Sequence, residues 1–445
     1  MVNTFYLYLN KERSNAALVV FRMVFGLMML YSTLRFISMG WVNSFYIMPK
    51  YLFPYEGFYW LKALPPTGMY LVFMLMVLSA AFILVGFYYR ISTFVFFLSF
   101  TYVELLDKSN YLNHYYFVSL MAFILIFLPL HRRFSLDVYF KRVEASNKTK
   151  NFYVFLPQLQ LAIVYIFAGI AKLNSDWLFH ALPLKIWLPA NVHLPLIGDL
   201  LRYEWVAYVF SWSGALYDLF IVFFLMNAKT RNLAYFIVIV FHVLTRILFP
   251  IGMFPFIMIA STLIFFSDQF HEGIIKKISS VLPRCTISYS AQIPNINKKV
   301  VYFFLLFVFI QLFVPFRYLA YPGNLFWTEQ GYRFSWRVML MEKAGNAVFY
   351  VEDSITGKKT EINNRDFLTI NQEKMMSTQA DMMVQYAHYI KQYFEQQGMI
   401  NPKVYADVFV SLNGNGSKRF IDPTVDLGNE QNTWRAKPWI LQYER

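Results

Sequence analysis

The chain has a single cysteine, Cys285, in 445 residues. An intrachain disulfide, a dithiol redox centre and a cysteine-based metal site are thereby excluded. Charge is also scarce: 15% of residues are charged, against about 25% in an ordinary soluble domain. No low-complexity tract or internal repeat is apparent. A transporter built from two related halves, with its sites at the midplane, would favour such a repeat. No small-residue cleavage site follows the amino-terminal segment with Lys11 and Arg13, so the first apolar run is expected to stay as a signal anchor.

Apolar sequence fills the space that charge leaves. Hydrophobic residues make up 58% of the chain and aromatic residues 20%. Runs of about 17–25 apolar residues are long enough to cross a bilayer. Nine are found, near 16–37, 67–88, 91–106, 114–130, 152–172, 204–226, 232–249, 251–267 and 299–316. The seventh and eighth are separated only by Pro250-Ile-Gly252, so that pair is expected to be broken or re-entrant. The remaining 317–445 is polar. It has strand-like stretches at 334–341, 347–352 and 404–412, a helical stretch at 381–397 and a turn at Asn413-Gly-Asn-Gly416. The expected fold is a polytopic α-helical membrane bundle of about nine spans, residues 1–316, followed by a β-rich α+β extramembrane domain, residues 317–445.

The net charge of +14 would suggest nucleic acid in a soluble protein. Here the placement of the charges is the informative quantity. With the amino terminus in the cytoplasm, inner loops carry more than twice the Lys and Arg of outer loops, including the run from Arg132 to Lys150 and Arg284. Nine spans then put the carboxyl-terminal domain on the extracytoplasmic face. The same topology brings Glu104, Asp107, Lys108, Asn113 and His114 to that face. It also brings Lys172, at the end of the fifth span, and His242 and Arg246, in the seventh.

Ionisable groups inside a membrane are costly and usually face a bundle interior or cavity. Each also has a plainer role open to it. Lys172 is either an interfacial anchor that snorkels to water with Asp176 as partner or a functional group. His114 beside Asn113 can cap its helix. His242 can be a satisfied interior histidine, and Asp218 in the sixth span can pair with Arg22 or Arg246. The Met- and Phe-rich spans read as packing and lipid-facing surface.

Several strings read together resemble the vitamin K-dependent γ-glutamyl carboxylases. They are Asp107-Lys108-Ser-Asn-Tyr-Leu-Asn113-His114, Gly169-Ile-Ala-Lys172-Leu-Asn-Ser-Asp176-Trp177 and Phe241-His242…Leu248-Phe249-Pro-Ile251-Gly252-Met253-Phe254. In the outer domain, Trp327-Thr328-Glu-Gln-Gly331-Tyr332-Arg333-Phe334-Ser335-Trp336 and Asp422-Pro-Thr-Val-Asp426-Leu are similar too. The resemblance runs in order through nearly the whole chain. It implies oxygenation of a reduced naphthoquinone, vitamin K hydroquinone, coupled to γ-carboxylation of glutamate in a protein or peptide. Oxygen and carbon dioxide are cosubstrates, and no metal is involved.

The resemblance also implies roles. Lys172 is the general base toward the quinol, which requires the neutral amine. Asn113 and His114 hydrogen-bond developing charge in the quinol and glutamate pocket, with His242 in support. Tyr332, Trp336 and Lys343 are candidates for the glutamate entrance. The expected partners are the lipid-soluble quinol, membrane lipid and the glutamate substrate, and not nucleic acid. Animal members have a longer extramembrane region and a disulfide, neither matched here, so propeptide recognition is expected to differ. Competing readings are a quinol epoxidase that does not carboxylate protein, a noncatalytic quinone-binding membrane protein and a transporter.

Overall fold

The structure, a computed structural model, describes residues 2–280, 289–290, 293 and 295–443. Arg284 and Cys285, expected in an inner loop, lie outside the described residues. Seven helices are long and apolar enough to cross a membrane. They are α1 (Ala16–Ser38), α2 (Pro66–Val85), α3 (Tyr89–Leu106), α5 (Asn151–Ala171), α6 (Glu204–Met226), α7 (Arg231–Leu248) and α9 (Lys298–Phe313), the last prolonged by a tighter turn to Ala320. Two shorter apolar helices, α4 (Asn113–Phe127) and α8 (Phe254–Thr262, continued to Phe265), occupy the other two places expected from the sequence. At about 1.5 Å per residue, α4 reaches roughly 22 Å, less than the ~30 Å hydrocarbon core.

The chain's punctuation is local. Pro66 opens α2 at a position where its missing N–H costs nothing. Gly86 closes it in the left-handed region, at φ 66°. A Cβ on Gly86 would stand 2.5 Å from both the Arg22 guanidinium and the Ser135 side chain. Arg22, fully buried, donates to the backbone carbonyls of Leu130 and Phe134. It does not meet Asp218, one of the two pairings expected for that acid.

Helices α7 and α8 form an antiparallel hairpin across the Pro250-Ile-Gly252 link. Tyr235 donates to the Ile259 carbonyl, while His242 meets Phe254 nearer the link. Helices α5 and α6 approach more closely than ordinary side chains permit. A Cβ on Gly169 would lie 2.7 Å from the backbone nitrogen of Leu219. Small residues at such contacts let membrane helices close on one another. Here the close approach sets residue 172, one turn past Gly169, opposite residue 218.

The carboxyl-terminal region carries α10 (Ile370–Met376), α11 (Ala380–Gln396) and a four-stranded antiparallel sheet. Its strands are β3 (Lys343–Glu352), β4 (Lys359–Ile362), β5 (Lys403–Leu412) and β6 (Lys418–Arg419), in the order β4-β3-β5-β6. A separate pair, β1 (Glu12–Ser14) and β2 (Lys148–Lys150), ties the amino terminus to the start of α5. Alternate residues of β5 are buried, so one face of the sheet packs on α11.

The strand expected at 334–341 is absent. Phe334, Trp336 and Met339 all have positive φ, of 61°, 60° and 52°. A run with left-handed residues at such short intervals cannot extend into a ladder. The alternation of apolar and polar residues there has another origin: the segment folds back against the helical bundle. Strain of this kind persists where surroundings over-determine the backbone. The Phe334 N–H donates to the Tyr111 hydroxyl at 2.7 Å, Asn113 Nδ2 donates to the Arg337 carbonyl at 2.8 Å, and Trp336 stacks on Tyr116 at 5.0 Å.

Candidate functional site

A cavity of about 110 Å³ lies where this folded-back segment meets the bundle. Its walls come from α4 (Asn113, Phe117), α5 (Tyr165, Ala168, Lys172), α6 (Gly214, Asp218), α7 (His242, Thr245) and the α7–α8 link. Trp336, Val338 and Met339 close one side, and aromatic and aliphatic side chains supply most of the remaining surface.

Lys172 ends α5. Its ammonium donates to Asp218 Oδ2 at 2.5 Å and to the Ala168 carbonyl at 3.3 Å, and lies 5.5 Å from the centre of the Trp177 ring. A snorkelling anchor would reach water. Lys172 is instead 7% exposed and Asp218 6%. The partner expected for an anchor, Asp176, faces elsewhere and accepts from Asn413 Nδ2 of the outer domain at 2.9 Å. Asp218 pairs with Lys172, correcting the expectation that it meets Arg22 or Arg246; Arg246 is exposed. Asn174 caps the following short helix through the Trp177 N–H, and Trp177 Nε1 donates to the Ser211 carbonyl. Those bonds fix the chain just beyond Lys172 against α6.

Across the cavity, His242 Nε2 is 3.3 Å from the Tyr165 hydroxyl, which is 3.2 Å from Thr262 Oγ1. Among the described residues His242 Nδ1 has no hydrogen-bond partner, and neither does Trp336 Nε1. Both atoms are buried, and a buried polar atom left unpaired costs roughly 1–3 kcal/mol. Both belong to residues that line the cavity. Asn113 uses its amide oxygen for the Tyr111 hydroxyl and one amide hydrogen for the Arg337 carbonyl.

Four of the expected residues, Lys172, Asn113, His242 and Trp336, therefore share one cavity. His114 does not line it. It lies behind Phe254, whose ring is 5.8 Å from both His114 and His242. Tyr332 and Lys343 also stand off the cavity. Lys343 is buried and committed, donating to the Trp327 and Thr378 carbonyls and to Glu329. Burial holds its ammonium below its ordinary pKa, with Glu329 opposing. Sequence reasoning missed Asp218 as the lysine's partner and missed Tyr165. The available signal for Asp218 was its position as the single acid within 205–226, with Gly169 marking a close helix approach in the neighbouring lysine segment.

The Asp107-Lys108 pair serves a different purpose. Asp107 accepts from Gln372 Nε2 at 2.8 Å, and Gln372 belongs to the capping box that starts α10. Burial pushes the Asp107 carboxyl up to about 6, opposed by hydrogen bonds from Ser109 and Gln372. Lys108, with no exposed side-chain surface, contacts Glu56 at 2.9 Å and Asp381 at 2.6 Å. Arg333, at the head of the folded-back segment, reaches the same Asp381 oxygen at 2.7 Å. Burial alone would push Asp381 up, but the charges of Arg333 and Lys108 outweigh it and hold the carboxyl well below the usual range. These contacts fasten the outer domain, and with it Trp336, to the bundle.

Fold and site together define a membrane protein whose buried lysine–carboxylate pair faces a largely apolar cavity, roofed by an extramembrane domain. Residues 10–270 match the family model of the HTTM domain, and residues 296–445 match that of the vitamin K-dependent gamma-carboxylase lumenal domain. The chain belongs to the vitamin K-dependent gamma-carboxylase family, and its carboxyl-terminal region is the family's lumenal domain. The match supports vitamin K-dependent carboxylation as its general function. No solved structure matches the chain.

Proposed function

We propose that this protein couples oxygenation of vitamin K hydroquinone to γ-carboxylation of glutamate in a protein or peptide, with Lys172 as the base that deprotonates the quinol. The observation that carries the reading is the cavity itself: one wall presents an amine, and two buried polar atoms, His242 Nδ1 and Trp336 Nε1, await partners. A flat aromatic diol fits that set of groups. Its rings match the aromatic lining, and its oxygens match the unpaired nitrogens. When bound, the quinol with oxygen supplies a base strong enough to take a glutamate γ-proton, after which carbon dioxide adds and the quinol leaves as its epoxide.

The chain's own residues bind, orient and move a proton. Lys172 Nζ takes the hydroxyl proton of the quinol. Trp336 Nε1 donates to a quinol oxygen, and His242, anchored through Tyr165, orients the other. Asn113 holds the 334–339 segment in place and keeps the cavity shut to bulk water, which strengthens every polar contact inside. His114 acts through Phe254 on the shape of the wall. We place the amino terminus in the cytoplasm and the lumenal-type domain across the membrane, on the strength of the Lys and Arg asymmetry. The quinol then enters from lipid and the peptide from water.

A second reading, quinol epoxidation without protein carboxylation, is favoured by one observation. Lys343, the cation expected to receive a substrate carboxylate, is fully engaged elsewhere. Purified protein given the hydroquinone, oxygen, labelled bicarbonate and a glutamate peptide separates the readings. Epoxide with label supports coupled carboxylation, epoxide alone supports the second reading, and neither product from a folded protein removes both.

A further inference from the structure

The ion pair poses a chemical difficulty. An ammonium has no lone pair and cannot act as a base, and the group bonded to Lys172 Nζ at 2.5 Å is a carboxylate that favours the ammonium. With both side chains 8% exposed, bulk water is poorly placed to carry the proton away. Asp218, however, lines the same cavity, and among the described residues it accepts from Lys172 alone. Its second oxygen and remaining lone pairs are uncommitted.

We propose that Lys172 and Asp218 act as one base, with Asp218 the positioning residue that stores the proton Lys172 must shed. This rests on Lys172 being the group that meets the quinol. Lys172 first passes a proton to Asp218 Oδ2, breaking an N–H bond and making an O–H bond. The freed lone pair on Nζ then takes the quinol's hydroxyl proton. The pair begins neutral overall with one proton shared between the two sites. It ends with both sites protonated and a single positive charge beside the quinol anion, so the opposite charges form together inside the cavity. The close approach of α5 and α6 at Gly169 holds the two groups within a single hydrogen bond. Other titratable groups within electrostatic reach are Tyr165 of α5, Tyr217 of α6 and His242 of α7. Asp176, on the next segment, is turned toward Asn413.

The pH profile of epoxide formation distinguishes a proton store from a mere counter-ion. If Asp218 stores the proton, the acid limb of the native enzyme lies in the carboxyl range and not in the amine range. Asp218→Asn then leaves a lone amine as the base, and the limb moves to higher pH. Activity falls at least about a hundredfold at pH 6 and returns to within about tenfold of native at pH 9.5. Asp218→Glu keeps the limb near its native position. If Asp218 only stabilises the ammonium, Asp218→Asn moves the limb to lower pH, and that result overturns the proposal. If Asp218→Asn fails to fold in detergent, the native profile decides alone: a limb at about pH 8 or above is equally contrary. Lys172→Ala separates the two layers of the account. Full activity in that variant ends the assignment of Lys172 as base, whatever Asp218 does.

Discussion

Replacing Lys108 with methionine tests how the lumenal-type domain is held over the cavity. Two cations, Lys108 and Arg333, balance two anions, Glu56 and Asp381, in this cluster. At 2.6 and 2.9 Å, each Lys108 contact is worth roughly 6 kcal/mol of attraction at an effective dielectric of about 20. Desolvation offsets much of that, and breaking one side of a buried pair typically costs about 3–5 kcal/mol because a charge is left unpaired. Glu56 and Asp381 keep 18% and 20% exposure, so water relieves part of the cost and the lower end, about 3 kcal/mol, applies. Methionine keeps an unbranched side chain only one heavy atom shorter, so packing loss adds little. The matching control is Lys359→Met, whose exposed pairing with Glu352 is worth less than about 1 kcal/mol. Hydrogen exchange reads the difference directly. The slowest amides of α11, which carries Asp381, should exchange about a hundredfold faster in Lys108→Met. Exchange within about twofold of the Lys359→Met control would show that the cluster does not lock the domain.

Other consequences follow from the same contacts. Gly169→Val forces α5 from α6, so epoxide formation should fall at least tenfold, with roughly 1–3 kcal/mol of overpacking cost; native activity in this variant would contradict the close helix approach. Trp336→Phe keeps an aromatic ring against Tyr116 but removes a donor, and should raise the KM for the quinol by about tenfold, or ~1.4 kcal/mol, in a folded protein. A native KM in steady-state assays would mean Trp336 Nε1 does not meet the quinol. Because the folded-state pKa of Asp107 is raised to about 6, its stabilising contribution is full below the unfolded value near 4 and is lost as pH rises through 6. Domain stability should therefore fall by up to about 3 kcal/mol between pH 4 and pH 7 through this group, and Asp107→Asn should flatten that part of the thermal unfolding profile. An unchanged slope would remove Asp107 from the account.

The bundle was legible because its signal is local: a run of apolar residues declares a span without knowledge of its neighbours. Lys172, Asn113 and His242 could be placed at one depth for the same reason, since depth follows from position along a helix. Which way a side chain turns does not. His114 is adjacent to Asn113 in sequence yet stands behind Phe254, because a helix rotates about 100° per residue. The Lys172–Asp218 pair depends on contact between two helices far apart in sequence, and only Gly169 and the isolation of Asp218 as an acid in its span hinted at it. The 334–341 segment misled because alternation of residue types resembles a strand, whereas its left-handed residues bend it over the cavity. Lys343 was expected at the glutamate entrance because of its charge, but three acceptors hold it inside.

The central claim is that Lys172 starts an oxidation that ends in carboxylated glutamate. Its most direct test is one assay of native protein and Lys172→Ala with vitamin K hydroquinone, oxygen, labelled bicarbonate and a glutamate peptide, with epoxide and peptide label counted separately. Native protein should give both products and the folded variant neither, with partial recovery of epoxide as the pH is raised and the quinol ionises unaided. Undiminished epoxide and label from Lys172→Ala at neutral pH would contradict it.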